Sequence, residues 1–429
     1  MLALAVALGG CDESRRERPP QDPMVLEVAH RLPAIRGLSF KRVPEARVVS
    51  QRRFQRIEGR RAALTVRGLS AGDRARTRRL RAEARIAQEL PVLLGLLPRL
   101  PRQKAVNKSA KVAAVYVGVE DRIYLISDAR VGRRERESVL SHELTHALDQ
   151  QNLGTRKPDL SSPFSDAADA RFAVREGSAV LAQFRYERRY LGERTRIADR
   201  LRDPPPDRTG SRLDLYLDAG ADFSYRRGAR FIRALYRRGG ARLVNRALRH
   251  PPVTTVSILD PSRWPADDRP LAPAPPVAPG PGWARSYSGT FGAATTQQLL
   301  ASEAPGPVTD RLARHWRGGA VDLWQPLRAV ARRAKPTRAA SVTVVRWRWR
   351  APSDARVAGG VIDLYLHSAF GAHQAGPGTW RWRGGGAALA SEASAAGSTS
   401  TLVVAPTVEL AAATATRPLV PGAPGSPGR

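Results

Sequence analysis

The spacing of apolar residues changes along the chain, and each change marks a different element. From Arg74 to Leu100, Leu80, Ala84, Ile86, Leu90, Leu94 and Leu97 keep a helical spacing that Pro91 and Pro98 interrupt. Two short strand-like runs follow, Lys111–Gly118 and Arg122–Ser127, and the residues between them, Val119 to Asp121, suit a hairpin. A further strand is expected near Leu38–Val49. Helical periodicity returns from Glu135 to about Gln151. After a polar loop, Asn152–Pro163, it predicts a long helix over Asp166–Tyr190. Pro204 to Pro206 break the chain, and Leu213–Leu248 is helical again.

The stretch Pro270–Gly282 (PLAPAPPVAPGPG) reads as a linker. Beyond it the pattern is mixed, with strand-like pieces at Ser341–Trp349 and Gly360–His367. Trp and Arg alternate in Arg346–Arg350 and Thr379–Arg383, which predicts strands with Trp on the covered face and Arg toward water. The fold class expected is therefore α+β. A first domain over residues 25–265 would combine a small sheet with helices. A Pro-rich linker (266–283), a second mixed domain (284–413) and a disordered tail (414–429) would follow. No solenoid-type repeat is present.

The first residues change this picture. Met1–Gly10 (MLALAVALGG) is an apolar run of signal-peptide length, too short to span a bilayer. It ends at Cys11, the only cysteine, so neither an intrachain disulfide nor a thiolate metal cluster is possible. Leu8-Gly9-Gly10-Cys11 resembles the lipobox of bacterial lipoproteins. That resemblance implies cleavage before Cys11, lipidation of its thiol (residues 1–11 as leader and lipidated Cys), and anchorage to a membrane on its extracytoplasmic side, periplasmic or at the cell surface. The basic n-region of such leaders is missing, so the true start is expected upstream. Residues 12–24 (DESRRERPPQDPM) read as a flexible stalk, and no later run is apolar enough for a transmembrane helix. The formal charge of +32 raises the question of a polyanion partner. Basic residues occur in nearly every segment without a recognisable nucleic-acid module, so specific nucleic-acid binding is not expected.

Chemistry is concentrated in Ser141–Asp149 (SHELTHALD). Residues four apart share a helix face, so His142 and His146 can offer two imidazole nitrogens to one metal ion. Glu143, one position on from His142, can reach a metal-activated water without being a ligand. A chain with seven histidines would carry roughly 0.006 such motifs by chance. Val139, Leu140, Leu144, Ala147 and Leu148 supply the buried side of the helix, and a strand pair precedes it. A catalytic Zn2+ site needs one more protein ligand and an open position.

His142-Glu-Leu-Thr-His146-Ala-Leu resembles the active-site helix of thermolysin-like gluzincins, zinc metallopeptidases of the zincin fold. The resemblance implies a third ligand on the next helix, matched best by Glu176 in Arg175-Glu-Gly-Ser-Ala179. Gly177 and Ala179 would let that helix approach the first. The interval from His146 to Glu176 is 30 residues, longer than in thermolysin, so Asp166 and Asp169 stand as rivals. A metzincin would need a third His soon after the motif, and none occurs before His250. More of the chain, from Arg36 through Phe223-x-Tyr225 and Pro251–Thr255, resembles a group of uncharacterised bacterial zincin-like proteins. Those carry Gln then Asp after the Ala-Leu pair, where this chain has Asp149 then Gln150. A carboxylate moved by one residue turns by about 100° around the helix.

What the resemblance implies is zinc-dependent hydrolysis of a peptide or protein substrate, by an endopeptidase in preference to an exopeptidase. Glu143 would act as general base. Tyr225, Tyr190 and His250 are candidates for stabilising the oxyanion, and Val112–Val117 for pairing with an extended substrate. The alternatives are a catalytically silent metal-binding lipoprotein acting in the cell envelope, and a polyanion-binding surface protein. Substrate and oligomeric state are not readable from the sequence.

Overall fold

The computed structural model describes residues 22–67, 71–97, 113–155, 164–203, 212–267, 269–271, 278–304, 306–394 and 397–416. Cys11 and the apolar leader lie outside the described residues, as do most of the stalk and the tail from residue 417. Asp22 accepts hydrogen bonds from the backbone N–H groups of Met24 and Val25 and so caps α1 (Pro23–Arg31). The end of the stretch expected to be a flexible stalk is therefore helical. Among the described residues no helix is long and apolar enough to cross a membrane.

The fold is mixed α and β, with two sheets among the described residues. In the smaller one, β1 (Glu45–Val49) runs parallel to β3 (Arg122–Ile126), and β2 (Ala114–Val117) pairs antiparallel to β3 on its other side. β2 and β3 form the expected hairpin, so among the described residues β2 is an edge strand. The described helices between β1 and β2 in sequence include α2 (Gln51–Arg67) and α3 (Ala71–Ala87), which stops short of Pro91, and a short helical turn over Leu90–Leu93 follows.

Next come the two helices that carry the motif residues. α4 (Arg133–Leu153) ends at Gly154, whose left-handed φ of 70° turns the chain out of the helix. Leu140, Leu144 and Ala147 of α4 pack on Ala114, Tyr116, Ile123 and Leu125 of the small sheet. α5 (Asp166–Tyr190) starts from Ser165, which caps the Ala168 N–H, with Asp166 and Asp169 in its first turn and Arg188 and Arg189 in its last. α6 (Arg212–Ala221) passes through one π-helical turn, Asp222–Arg227, into α7 (Gly228–Arg249). The periodic run expected over Leu213–Leu248 is thus three pieces, and α7 is kinked again at Gly239 and Gly240.

The larger sheet is antiparallel, ordered β4-β5-β6-β10-β9-β8-β7, with β4 at Trp283–Thr290, β5 at Trp316–Pro326 and β6 at Val342–Trp349. β7 to β10 span His373–Gly376, Thr379–Trp382, Gly385–Ser394 and Gly397–Ala405. The longer described helices of this half are α8 (Ala293–Leu300), α9 (Gly306–His315), α10 (Pro352–Phe370) and α11 (Val408–Ala415). α8 and α10 cover one face and α11 the other. Gly360–His367, expected as a strand, lies inside α10. Its buried pairs Val361/Ile362 and Tyr365/Leu366 are four apart while Leu364 is exposed, which is helical and not alternating burial.

The alternation in β6 also needs correction. Trp347 and Trp349 are buried as expected, but Arg346 is buried too, against the buried Asp322 of β5 at 2.7 Å. A central strand covered on both faces leaves no watery side for the arginine. In β8 the expectation holds better, with Trp380 buried and Arg381 reaching Glu409 at 2.7 Å. The Pro-rich stretch touches the second sheet where it is described, since Leu271 N–H donates to the Arg317 carbonyl (2.7 Å). Ala87, Leu90, Leu93 and Leu94 join the core beneath the larger sheet, so the two halves share packing.

Candidate metal centre

Two helix faces make the site. α4 presents His142 and His146 one turn apart, with ring centroids 4.8 Å apart and planes nearly perpendicular. α5 presents Glu176, buried, from the facing helix. Its Oε2 lies 3.2 Å from His142 Nε2 and 3.3 Å from His146 Nε2, and the two Nε2 atoms are 3.2 Å apart. A tetrahedral ion with bonds of about 2.0–2.1 Å keeps its donors about 3.3–3.4 Å apart. The triangle therefore matches one face of such a coordination sphere. Among the described residues this is the only cluster of three or more His, Cys, Asp or Glu side chains that can hold a metal ion.

Neither rival for the third place belongs to the cluster. Asp166 accepts from the Thr255 N–H (3.1 Å) and from the Thr255 hydroxyl, at the N-terminus of α5. A Cβ on Gly292 would lie 1.8 Å from its Oδ1, so the Asp166 carboxylate rests against the glycine that starts α8. Asp169 sits two turns before Glu176, and burial pushes its pKa up to about 6.

Neighbouring groups orient the three donors. Gln183 Oε1 lies 3.2 Å from His142 Nδ1, so the N–H at Nδ1 can donate to it and leave Nε2 free to ligate. Arg175 Nη1 donates to Glu176 Oε1 (2.5 Å), which turns Oε2 toward the histidines. No motif marked Arg175 or Gln183, although Arg175 adjoins Glu176 and Gln183 lies two turns beyond it on the same face. His146 Nδ1 is buried without a hydrogen-bond partner. Asp149 does not reach it, because its carboxylate takes the Ser178 hydroxyl (2.8 Å) and pairs with Arg36 (2.8 Å). Gln150 turns the other way and donates to the Gly118 carbonyl of the hairpin (2.7 Å). The inverted Asp-Gln order thus ties α4 to α5 and to the small sheet.

Glu143 is half-buried beside this group. Its Oε2 accepts the Tyr116 backbone N–H (2.8 Å), which lies on the edge of β2 that faces away from β3. Burial raises the Glu143 pKa, outweighing the opposite pull of His142 and the Tyr116 bond. Burial holds His146 down at about 3, hence neutral and able to ligate. In Glu176 burial acts upward, but the two histidines draw the pKa well below its ordinary value. Burial would lower His142, yet its contact with Glu176 and the charge on Glu143 leave it raised.

Tyr225 belongs to the same site. It stands in the π-helical turn, 41 % exposed, with its ring 6.2 Å from that of His142. Burial and the nearby Glu176 and Glu143 push its hydroxyl up to about 12, so it stays a hydrogen-bond donor at neutral pH. π-helical turns often aim side chains at functional sites. Tyr190 instead packs at a tilt against Tyr186 and lies under the Arg31 guanidinium, and His250 is exposed at the end of α7, both outside this cluster. His315, also outside, pairs with Asp354. Gly177 serves a different contact from the one expected, since a Cβ there would meet Gly228 and Ala229 at the start of α7.

No protein-family model, curated protein or solved structure matches the chain.

Proposed function

We propose that the chain is a zinc-dependent metallopeptidase of the zincin type, with His142, His146 and Glu176 as ligands and Glu143 as general base. The observation that carries this reading is the near-equilateral triangle of two imidazole nitrogens and one carboxylate oxygen, with a second carboxylate half-open beside it. Two nitrogen donors with one oxygen suit zinc better than calcium or magnesium, which take oxygen. When bound, the ion would acidify water and polarise a carbonyl.

The chain's own residues do the rest. Glu143 takes a proton from water as the water oxygen attacks the scissile carbonyl carbon. It returns that proton to the amine nitrogen as the C–N bond breaks. Burial, which raises the Glu143 pKa, makes its carboxylate a stronger base toward water. The Tyr225 hydroxyl donates to the oxygen on which negative charge develops. The free edge of β2 offers backbone groups to an extended substrate, with Tyr116 N–H released when Glu143 swings to water. Lipid anchorage through Cys11 would place this activity outside the cytoplasm, and the substrate would be a peptide or protein.

A second reading is a metal-holding protein without turnover. The Tyr116 N–H held by Glu143 and the unpartnered Nδ1 of His146 favour it. One experiment separates the two: zinc content and cleavage of a denatured protein substrate, for wild type, Glu143→Gln and Glu176→Ala. The peptidase reading requires Glu143→Gln to keep the metal and lose cleavage, and Glu176→Ala to lose both. Zinc retained in all three without any cleavage supports the silent alternative for turnover and rejects Glu176 as a ligand.

A further inference from the structure

The face of the small sheet opposite α4 is covered by α2, and the described part of its exposed side carries Arg52, Arg53, Arg56 and Arg60. Phe54 lies against Tyr124 with ring centroids 5.3 Å apart and planes tilted by 54°, and Ile57 packs on the cluster of Val49, Val117, Tyr124 and Ile126. Those two anchors set the rotation of the helix. Arg53, Arg56 and Arg60, spaced i, i+3 and i+7, consequently share one exposed side. Arg47 of β1 meets them from the sheet, and the four arginines with Ile57 line a cavity of about 380 Å³.

What marks this cluster is four guanidinium groups at one cavity with no carboxylate among its described lining residues. Arg226, Arg227 and Arg230 converge on Asp203, and Arg36 is paired with Asp149. Among the described residues, none of Arg47, Arg53, Arg56 and Arg60 pairs with a carboxylate, and the acids near them are occupied. Glu45 holds Arg122 (2.7 Å), Asp128 accepts the Gln51 N–H (2.8 Å), and Glu58 has a partner of its own. Four like charges around one cavity repel each other, and an anion entering it relieves that repulsion.

We propose that this cavity binds a multiply charged, phosphate-bearing anion. Guanidinium forks match phosphate oxygens two at a time. The rise from Arg53 to Arg60 is about 10.5 Å along the helix axis, room for more than one phosphate group. Among the described residues Ile57 is the only apolar one lining the cavity, and none of the described lining residues is an aromatic that could stack on a base. The ligand class is therefore a compact polyphosphate or a phosphodiester headgroup at a lipid surface, not a nucleic-acid strand.

The test uses the full chain and two probes: inorganic tripolyphosphate by calorimetry, and flotation with phosphatidylcholine vesicles with or without phosphatidylglycerol. Wild type is compared with Arg53→Ala/Arg56→Ala/Arg60→Ala and with Arg130→Ala/Arg196→Ala/Arg332→Ala, which removes equal charge from scattered exposed sites. The pocket triple should weaken binding at least about tenfold, and the scattered triple by less than about threefold. If the first triple folds poorly, Arg53→Gln/Arg56→Gln/Arg60→Gln replaces it. A loss confined to tripolyphosphate identifies a soluble anion, and one confined to phosphatidylglycerol vesicles a headgroup; each supports the site. Equal losses in the two triples, or no binding of either probe by wild type, overturn it.

Discussion

Gly177 and Gly228 face each other so closely that a Cβ on Gly177 would lie 2.2 Å from the Gly228 carbonyl carbon. The converse is as tight, since a Cβ on Gly228 would meet the Ala173 carbonyl oxygen at 2.2 Å. Gly177 directly follows Glu176, and Gly228 directly follows the π-helical turn that carries Tyr225. One backbone contact therefore sets the distance between a metal-site carboxylate and the tyrosine across from it.

Replacing either glycine should be costly. Backbone atoms on both sides cannot move aside as a flexible side chain would, so Gly177→Ala is expected to destabilise the fold by about 1–3 kcal/mol or more. Gly220→Ala supplies the contrast, because nothing lies within 4 Å of a Cβ there. That change in α6 should be neutral or stabilising by up to about 1 kcal/mol. Denaturant unfolding of the two variants checks the pair, and equal stability would show that the helices part without cost.

Metal affinity should depend on groups that never touch the ion. Gln183 faces His142 Nδ1 and Arg175 holds the far oxygen of Glu176. Gln183→Ala and Arg175→Ala are each expected to weaken metal binding about 10–100-fold. Glu176→Ala should weaken it further. Competition against a chromophoric chelator gives all three constants, and unchanged affinity in both outer variants would remove their orienting role.

The part of this site that could be read from the sequence was the local part. His142 and His146 lie within one helix, where spacing fixes direction, and Glu176 falls on the next predicted helix. Arg175, Gln183 and Tyr225 acquire their places only when α5 packs against α4 and the π turn, a contact that depends on Gly177 and Gly228 and not on any spacing. A comparable limit explains Gly360–His367. Val361 and Ile362 are β-branched neighbours that suggest a strand, whereas Pro352 and Asp354 upstream start a helix, with Asp354 accepting the Ala351 N–H at 3.1 Å. Arg346 shows the same point in a strand. Alternation assigns it a side, but only the sheet order reveals that both sides are covered.

Stability should change with pH through Asp169. Burial lifts its pKa from 3.8 to about 6, so the folded protein holds this proton more tightly than the unfolded chain. Stability must then fall as pH rises through that interval, and the full penalty is present above it. Asp169→Asn removes the penalty. Placement of the acid in the first turn of α5 offsets part of the gain, leaving about 1–2 kcal/mol at pH 7. Below about pH 4 the unfolding curves of wild type and variant should coincide. A difference that stays the same from pH 4 to 8 would mean the effect is not ionisation.

Tyr225 provides the sharpest separation between holding a metal and using it. Its hydroxyl does not belong to the donor triangle, and its pKa near 12 keeps the proton on at any working pH. Tyr225→Phe keeps the ring beside His142 and deletes only the donor, so zinc content and unfolding midpoint should not change. If that hydroxyl stabilises charge on the reacting oxygen, kcat should drop about 10²–10³-fold with KM little altered. A rise in KM at constant kcat would instead make Tyr225 a substrate-binding group that holds ground state and transition state alike. Equal kinetics in both proteins would take it out of the reaction altogether, leaving the raised pKa as no more than a consequence of two nearby carboxylates and burial.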